Sequence, residues 1–156
     1  MKIRALMLVL LLSVEPVTFA VAQSSREPMS RGGSVPRLGD IMLAKQWRHI
    51  KLWFAGRQKN WELAAYELAQ MKSSLADAAT LYANIPISDV EIMIEPLQSI
   101  NKAIEAKDST SFASAFNRLT VACNSCHREM GREFITIQVP AVSPFSDQSF
   151  SSSRKR

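Results

Sequence analysis

STSFASAFNRLTVACNSCHREM, residues 109–130, is the stretch from which the fold follows. Phe112, Phe116, Leu119, Cys123 and Cys126 recur at steps of three and four, the spacing that lines one face of an α-helix. Asp108 precedes the run as an N-cap, and Gly131 follows it as a residue suited to the left-handed conformation that ends helices. Both thiols therefore lie along an apolar face and are expected to meet the core. They are the two cysteines of the chain, spaced C-x-x-C, and His127 follows the second at once.

Upstream, apolar residues again recur at helical spacing, without the alternation or the β-branched and aromatic runs that mark strands. SVPRLGDIMLAKQWRHIKLWFAG (34–56) has a proline near its start and Gly56 in the place of a C-cap, which predicts a first helix. Asn60 is an N-cap for WELAAYELAQMKSSLADAATLYA (61–83), in which Leu63, Tyr66, Leu68 or Ala69, Met71, Leu75, Ala78 and Leu81 or Tyr82 mark the expected buried stripe; Asn84-Ile85-Pro86 ends it. Ser88 and Glu91 have the spacing of a capping box, but Pro96 removes an amide donor and crowds the preceding turn. The expectation there is a short turn followed by a third helix from Pro96 to about Lys107. Together with 109–130 this predicts an all-α, antiparallel four-helix bundle, an architecture whose core can hold a cofactor.

The chain opens MKIRALMLVLLLSVEPVTFAVAQ: Lys2 and Arg4, an apolar run over 5–12, then Ala20-Val21-Ala22. That order reads as a secretory signal peptide over 1–22, too short for a transmembrane span, and predicts export to the periplasm. The expected organisation continues with a flexible lead-in over 23–35 and a bundle with an extended strap over 36–139. An irregular tail over 140–156 ends in SSSRKR. Loss of Lys2, Arg4 and Glu15 with the signal peptide lowers the formal charge from +5 to +4, and several of the remaining cations lie near the ends. This favours neither nucleic acid nor a membrane surface as partner and is compatible with an acidic redox protein.

In an oxidising compartment a C-x-x-C pair is a disulfide candidate, a dithiol, half a zinc site or a haem anchor. The dithiol reading lacks the βαβ pattern expected around it. Zinc needs four ligands, and Cys123, Cys126, His127 and His49 lack finger spacing. A short disulfide would put a strained ring inside the strongest helical pattern of the C-terminal half. C-x-x-C-H is the signal for covalent haem, in which two thiols add across two vinyl groups and the adjacent imidazole binds iron.

With C-N-S-C-H near the end of a four-helix pattern, the chain resembles the class II cytochromes c, the cytochrome c′-like bundles. RHIKLWFAGRQKNWELAAYELAQM (48–71) and FITIQVPAVSPFSDQ (134–148) also look like small exported bacterial cytochromes related to that bundle. The resemblance covers residues 38–131 and implies one haem c attached through Cys123 and Cys126, with His127 as proximal iron ligand. It places Met42 at the distal position of the first helix, where a thioether gives a six-coordinate, low-spin haem. His49, the other histidine, lies two turns beyond Met42 and is the competing ligand. Arg37, Lys45 and Arg48 are candidate cations for the haem propionates.

The implied function is one-electron transfer between redox partner proteins, with no enzymatic step. The alternative is a five-coordinate haem that binds nitric oxide or carbon monoxide behind an apolar distal face of Leu38, Ile41 and a non-ligating Met42. A third reading is a partner-binding helical bundle with a Cys123–Cys126 disulfide. Both a monomer and a homodimer are compatible with the apolar first helix.

Overall fold

Helix α1 spans Leu38–Arg57, α2 Trp61–Leu81, α3 Ile87–Glu105 and α4 Ser109–Glu129. The computed structural model describes residues 35–152; the expected signal peptide, all of the lead-in before Val35 and the end of the tail after residue 152 lie outside the described residues. The four helices form the expected antiparallel bundle, and no strand occurs among the described residues. Helices α1 and α2 pack as one close hairpin and α3 and α4 as another, and the two hairpins meet along looser α2–α3 and α1–α4 seams. No helix among the described residues is long and apolar enough to cross a membrane.

Three helix ends reverse the chain by one device. Lys59, Lys107 and Gly131 take φ of 57°, 54° and 64°. In each case the left-handed residue donates to the carbonyl three back and its successor to the carbonyl five back, which satisfies carbonyls a helix end leaves unpaired. The successors of the two lysines then start the next helix. Leu63 N–H donates to Asn60 Oδ1 at 3.2 Å, and the Thr110 and Ser111 amides donate to Asp108 Oδ1 at 2.9 and 3.1 Å.

Gly56 is therefore not the C-cap that its position predicted. It lies inside α1, where a Cβ would stand 2.2 Å from the Phe112 ring. Its role is close approach of α1 to α4, and Lys59 carries the left-handed turn instead.

Two further expectations change. The buried stripe of α2 runs through Ala64, Glu67, Leu68, Met71 and Ala78, while Tyr66 and Leu81 are exposed. Sequence periodicity missed Glu67 because its carboxylate is acceptable inside only with a partner: Arg48 donates to it at 2.9 Å and stacks over Tyr66. Helix α3 begins at Ile87, with no side-chain cap, and continues through Pro96 without a break. An internal proline costs about 3 kcal/mol. Burial of Met93, Leu97, Ile100 and Ala103 on one face of α3 outweighs it, since a large apolar side chain contributes roughly 1.5–3 kcal/mol.

The core is an aromatic column. Phe112 and Phe116 of α4 are fully buried, with Trp53 stacked on Phe112 and tilted against Phe116, and Trp61 edge-on to Phe112. Residues 133–152 contain no helix or strand, yet Phe150 is buried against Phe54 and Phe145, and Phe145 meets Trp47 edge-on. Ser151 is tied to α1 and α2 as well: its hydroxyl donates to Gln58 and its carbonyl accepts from Asn60.

Candidate functional site

Cys123, Cys126 and His127 of α4 open onto one small apolar pocket, and Met42 of α1 lines the same pocket. Sequence spacing had placed the first three on one stretch of helix; the bundle adds Met42 from another. Asp89, Val90 and Met93 of α3 and Leu75 of α2 complete much of the wall. The pocket measures about 50 Å³, well short of the several hundred Å³ typical of cofactor sites.

Both cysteines are free and half-buried. Burial pushes each thiol up to about 11, with Lys45 opposing the shift at Cys123 and the Asp89 charge adding to it at Cys126. Near neutral pH both sulfurs are therefore protonated thiols.

The geometry of His127 follows from how α4 ends. Gly131, in the left-handed conformation, turns the chain so that Arg132 N–H reaches the His127 carbonyl at 2.6 Å. Ile135 N–H then donates to the Arg132 carbonyl at 2.8 Å, and the Ile135 carbonyl lies 2.8 Å from His127 Nδ1. A carbonyl only accepts, so Nδ1 carries a proton, and in the neutral imidazole the lone pair is on Nε2. This is the arrangement that metal-binding imidazoles use, with the second nitrogen fixed by a hydrogen bond.

Of the three cations considered for propionates, the structure brings one to the pocket. Arg37 is paired with Asp40 at the surface and Arg48 with Glu67, whereas Lys45 lines the pocket at 8 % exposure. Desolvation lowers the Lys45 ammonium to about 8.

His49 does not reach the pocket. It is 2 % exposed, packs on the Phe116 ring at 4.4 Å and lies 2.9 Å from Thr120 Oγ1. The Thr120 hydroxyl proton goes to the Phe116 carbonyl at 3.0 Å, so His49 Nε2–H is the donor to Thr120. Burial depresses the imidazole from its ordinary 6.5 to about 4. The unfolded chain therefore takes up this proton first, and the stability contributed by neutral His49 is present above pH 6.5 and lost as pH falls toward 4. The loss reaches roughly 3 kcal/mol. Urea unfolding over that range should show the slope, and His49→Gln should flatten it.

Asp89 is the site residue that sequence reasoning missed, having read it only as part of a capping box. It is 1 % exposed and lines the pocket, and neither carboxylate oxygen has a hydrogen-bond partner. Only the tertiary placement of the first turn of α3 reveals this.

The pocket thus gathers two thiols, an imidazole and, from a different helix, a thioether around one apolar space. A four-ligand zinc site is not assembled, because His49 is bonded elsewhere and no group of three or more His, Cys, Asp or Glu among the described residues is placed to hold a metal ion. Leu38 and Ile41, which an apolar gas-binding face would use, are not among the lining residues. No family model, no curated protein and no solved structure matches the chain.

Proposed function

We propose that this chain is an exported monohaem c-type cytochrome, similar to the class II four-helix cytochromes, that carries single electrons between redox partner proteins. The observation that carries this reading is the convergence of Cys123, Cys126 and His127 from α4 with Met42 from α1 on one apolar pocket. Haem c held there supplies the one-electron ferric–ferrous couple.

Each residue has a defined part in that reading. Cys123 and Cys126 would hold the macrocycle through thioether bonds, and His127 would offer Nε2 to its iron while the Ile135 carbonyl accepts from Nδ1–H. Met42 would offer its thioether as a second ligand, and the apolar wall of Leu75, Val90 and Met93 would exclude water. Lys45 is the cation available to the acid groups of the ligand.

Met42 is tested by spectroscopy of the haem-loaded protein. The wild type should be low-spin, with a thioether-to-ferric-iron charge-transfer band and slow carbon monoxide binding. In Met42→Ala that band should vanish and carbon monoxide should bind rapidly. High-spin spectra in both proteins would remove Met42 from the coordination sphere and favour the five-coordinate gas-binding alternative.

A further inference from the structure

The two residues between the cysteines are Asn124 and Ser125, and their surroundings differ. The Ser125 hydroxyl meets only Arg128 on the helix surface, accepting from its guanidinium at 2.8 Å. Asn124 is half-buried and grips the chain that returns along α4: its Nδ2–H donates to the Ile137 carbonyl at 2.9 Å, and Ile137 N–H donates to its Oδ1 at 2.8 Å. One carboxamide thus satisfies both backbone groups of a residue that belongs to no strand, a pairing as directional as a rung of sheet.

Ile137 lies two residues beyond Ile135, whose carbonyl accepts from His127 Nδ1–H. The strap between is held at its near end by Gly131 and Arg132 and at its far end by Asn124. Between these anchors the strap is exposed, Ile135 at 43 % and Phe134 at 77 %, and its next contact with the core is Val139, two residues beyond Ile137. Apolar contact between the anchors is too slight to fix the Ile135 carbonyl.

We infer that Asn124 is a positioning residue for the His127 imidazole, acting through the strap: its grip on Ile137 sets the Ile135 carbonyl to hold Nδ1–H and so keeps Nε2 as the nitrogen free to bind iron. This rests on the haem reading for its consequence and not for its geometry. A hydrogen-bonded Nδ1–H makes the imidazole a stronger donor, which stabilises ferric over ferrous iron. Asn124 therefore lowers the reduction potential of the haem without touching it.

The test uses Asn124→Ala, Asn124→Asp and Ser125→Ala in the full chain. Each is scored by pyridine haemochrome for covalent haem, by redox titration for potential, and by nitrogen-15 NMR of His127 in the haem-free protein for tautomer. With covalent haem retained, Asn124→Ala should raise the potential and turn His127 from a single Nδ1–H tautomer to a mixture. Asn124→Asp, which keeps the acceptor for Ile137 N–H and loses the donor, should fall between, and Ser125→Ala should match the wild type. A wild-type potential and tautomer in Asn124→Ala would overturn the inference. If the wild type takes up no covalent haem, the functional reading fails separately, and the His127 tautomer in the variants still decides the role of Asn124. Should Asn124→Ala not fold, the same comparison between Asn124→Asp and wild type carries the decision.

Discussion

Phe112→Ala should destabilise the bundle by about 3–5 kcal/mol, the range for removing a fully buried phenyl ring. The ring is the hinge of the α1–α4 contact: it is 0 % exposed, it lies over Gly56, and Trp53, Trp61 and Phe116 surround it with centroids 6.0 to 6.4 Å away. Its loss removes apolar burial and also leaves a cavity that helices held on both sides cannot close. Denaturant unfolding checks the value. A double-mutant cycle makes the test specific. Gly56→Ala alone should be destabilising, because its methyl group would meet the Phe112 ring. Combined with Phe112→Ala, the same methyl enters vacated space, so the two effects should be far from additive. Additive effects would mean that the close α1–α4 approach is wrong.

The second large effect concerns the thiols. With Cys123 and Cys126 both replaced by alanine, the protein should lose all covalently retained haem. Each single variant should keep one thioether and shift the haemochrome band toward that of haem with one unreacted vinyl group. These losses should not be secondary to unfolding. Both side chains are only half-buried, and the fully buried residues of α4, Phe112, Phe116 and Leu119, lie one to four turns earlier. The double variant should therefore unfold at a denaturant concentration close to that of the haem-free wild type. Retention of haem through acidic organic extraction in the double variant would show that some other residue is the anchor.

Much of this was legible in the chain because local rules and tertiary packing agree there. Asn60 and Asp108 are caps in sequence and in structure, and the three-and-four spacing of Phe112, Phe116 and Leu119 marks residues that are fully buried. Local rules failed where a distant partner decides. Gly56 resembles a helix terminator until Phe112 arrives from α4 to occupy the space beside it. Pro96 resembles a breaker until the buried face of α3 compensates for one lost hydrogen bond. Glu67 reads as a solvent residue without Arg48 from the neighbouring helix.

The same division runs through the site. Cys123, Cys126 and His127 are adjacent in sequence, so their motif could be read directly, and Met42 entered through family resemblance before the structure placed it on the pocket wall. His49 was a plausible rival on spacing alone, and only its bond to Thr120 removes it from the pocket. Asp89 and the strap carbonyl of Ile135 carry no local signal, because their importance lies in what α4 presents to them.

The account turns on whether these two thiols carry haem. Expression of the full chain in a host able to attach haem c, followed by intact-mass measurement under denaturing conditions and peptide mapping, tests this most directly. The account predicts a mature chain heavier by one haem, with the added mass confined to the peptide holding Cys123, Cys126 and His127. A chain at the bare polypeptide mass, or lighter by the two hydrogens of a Cys123–Cys126 disulfide, would contradict it.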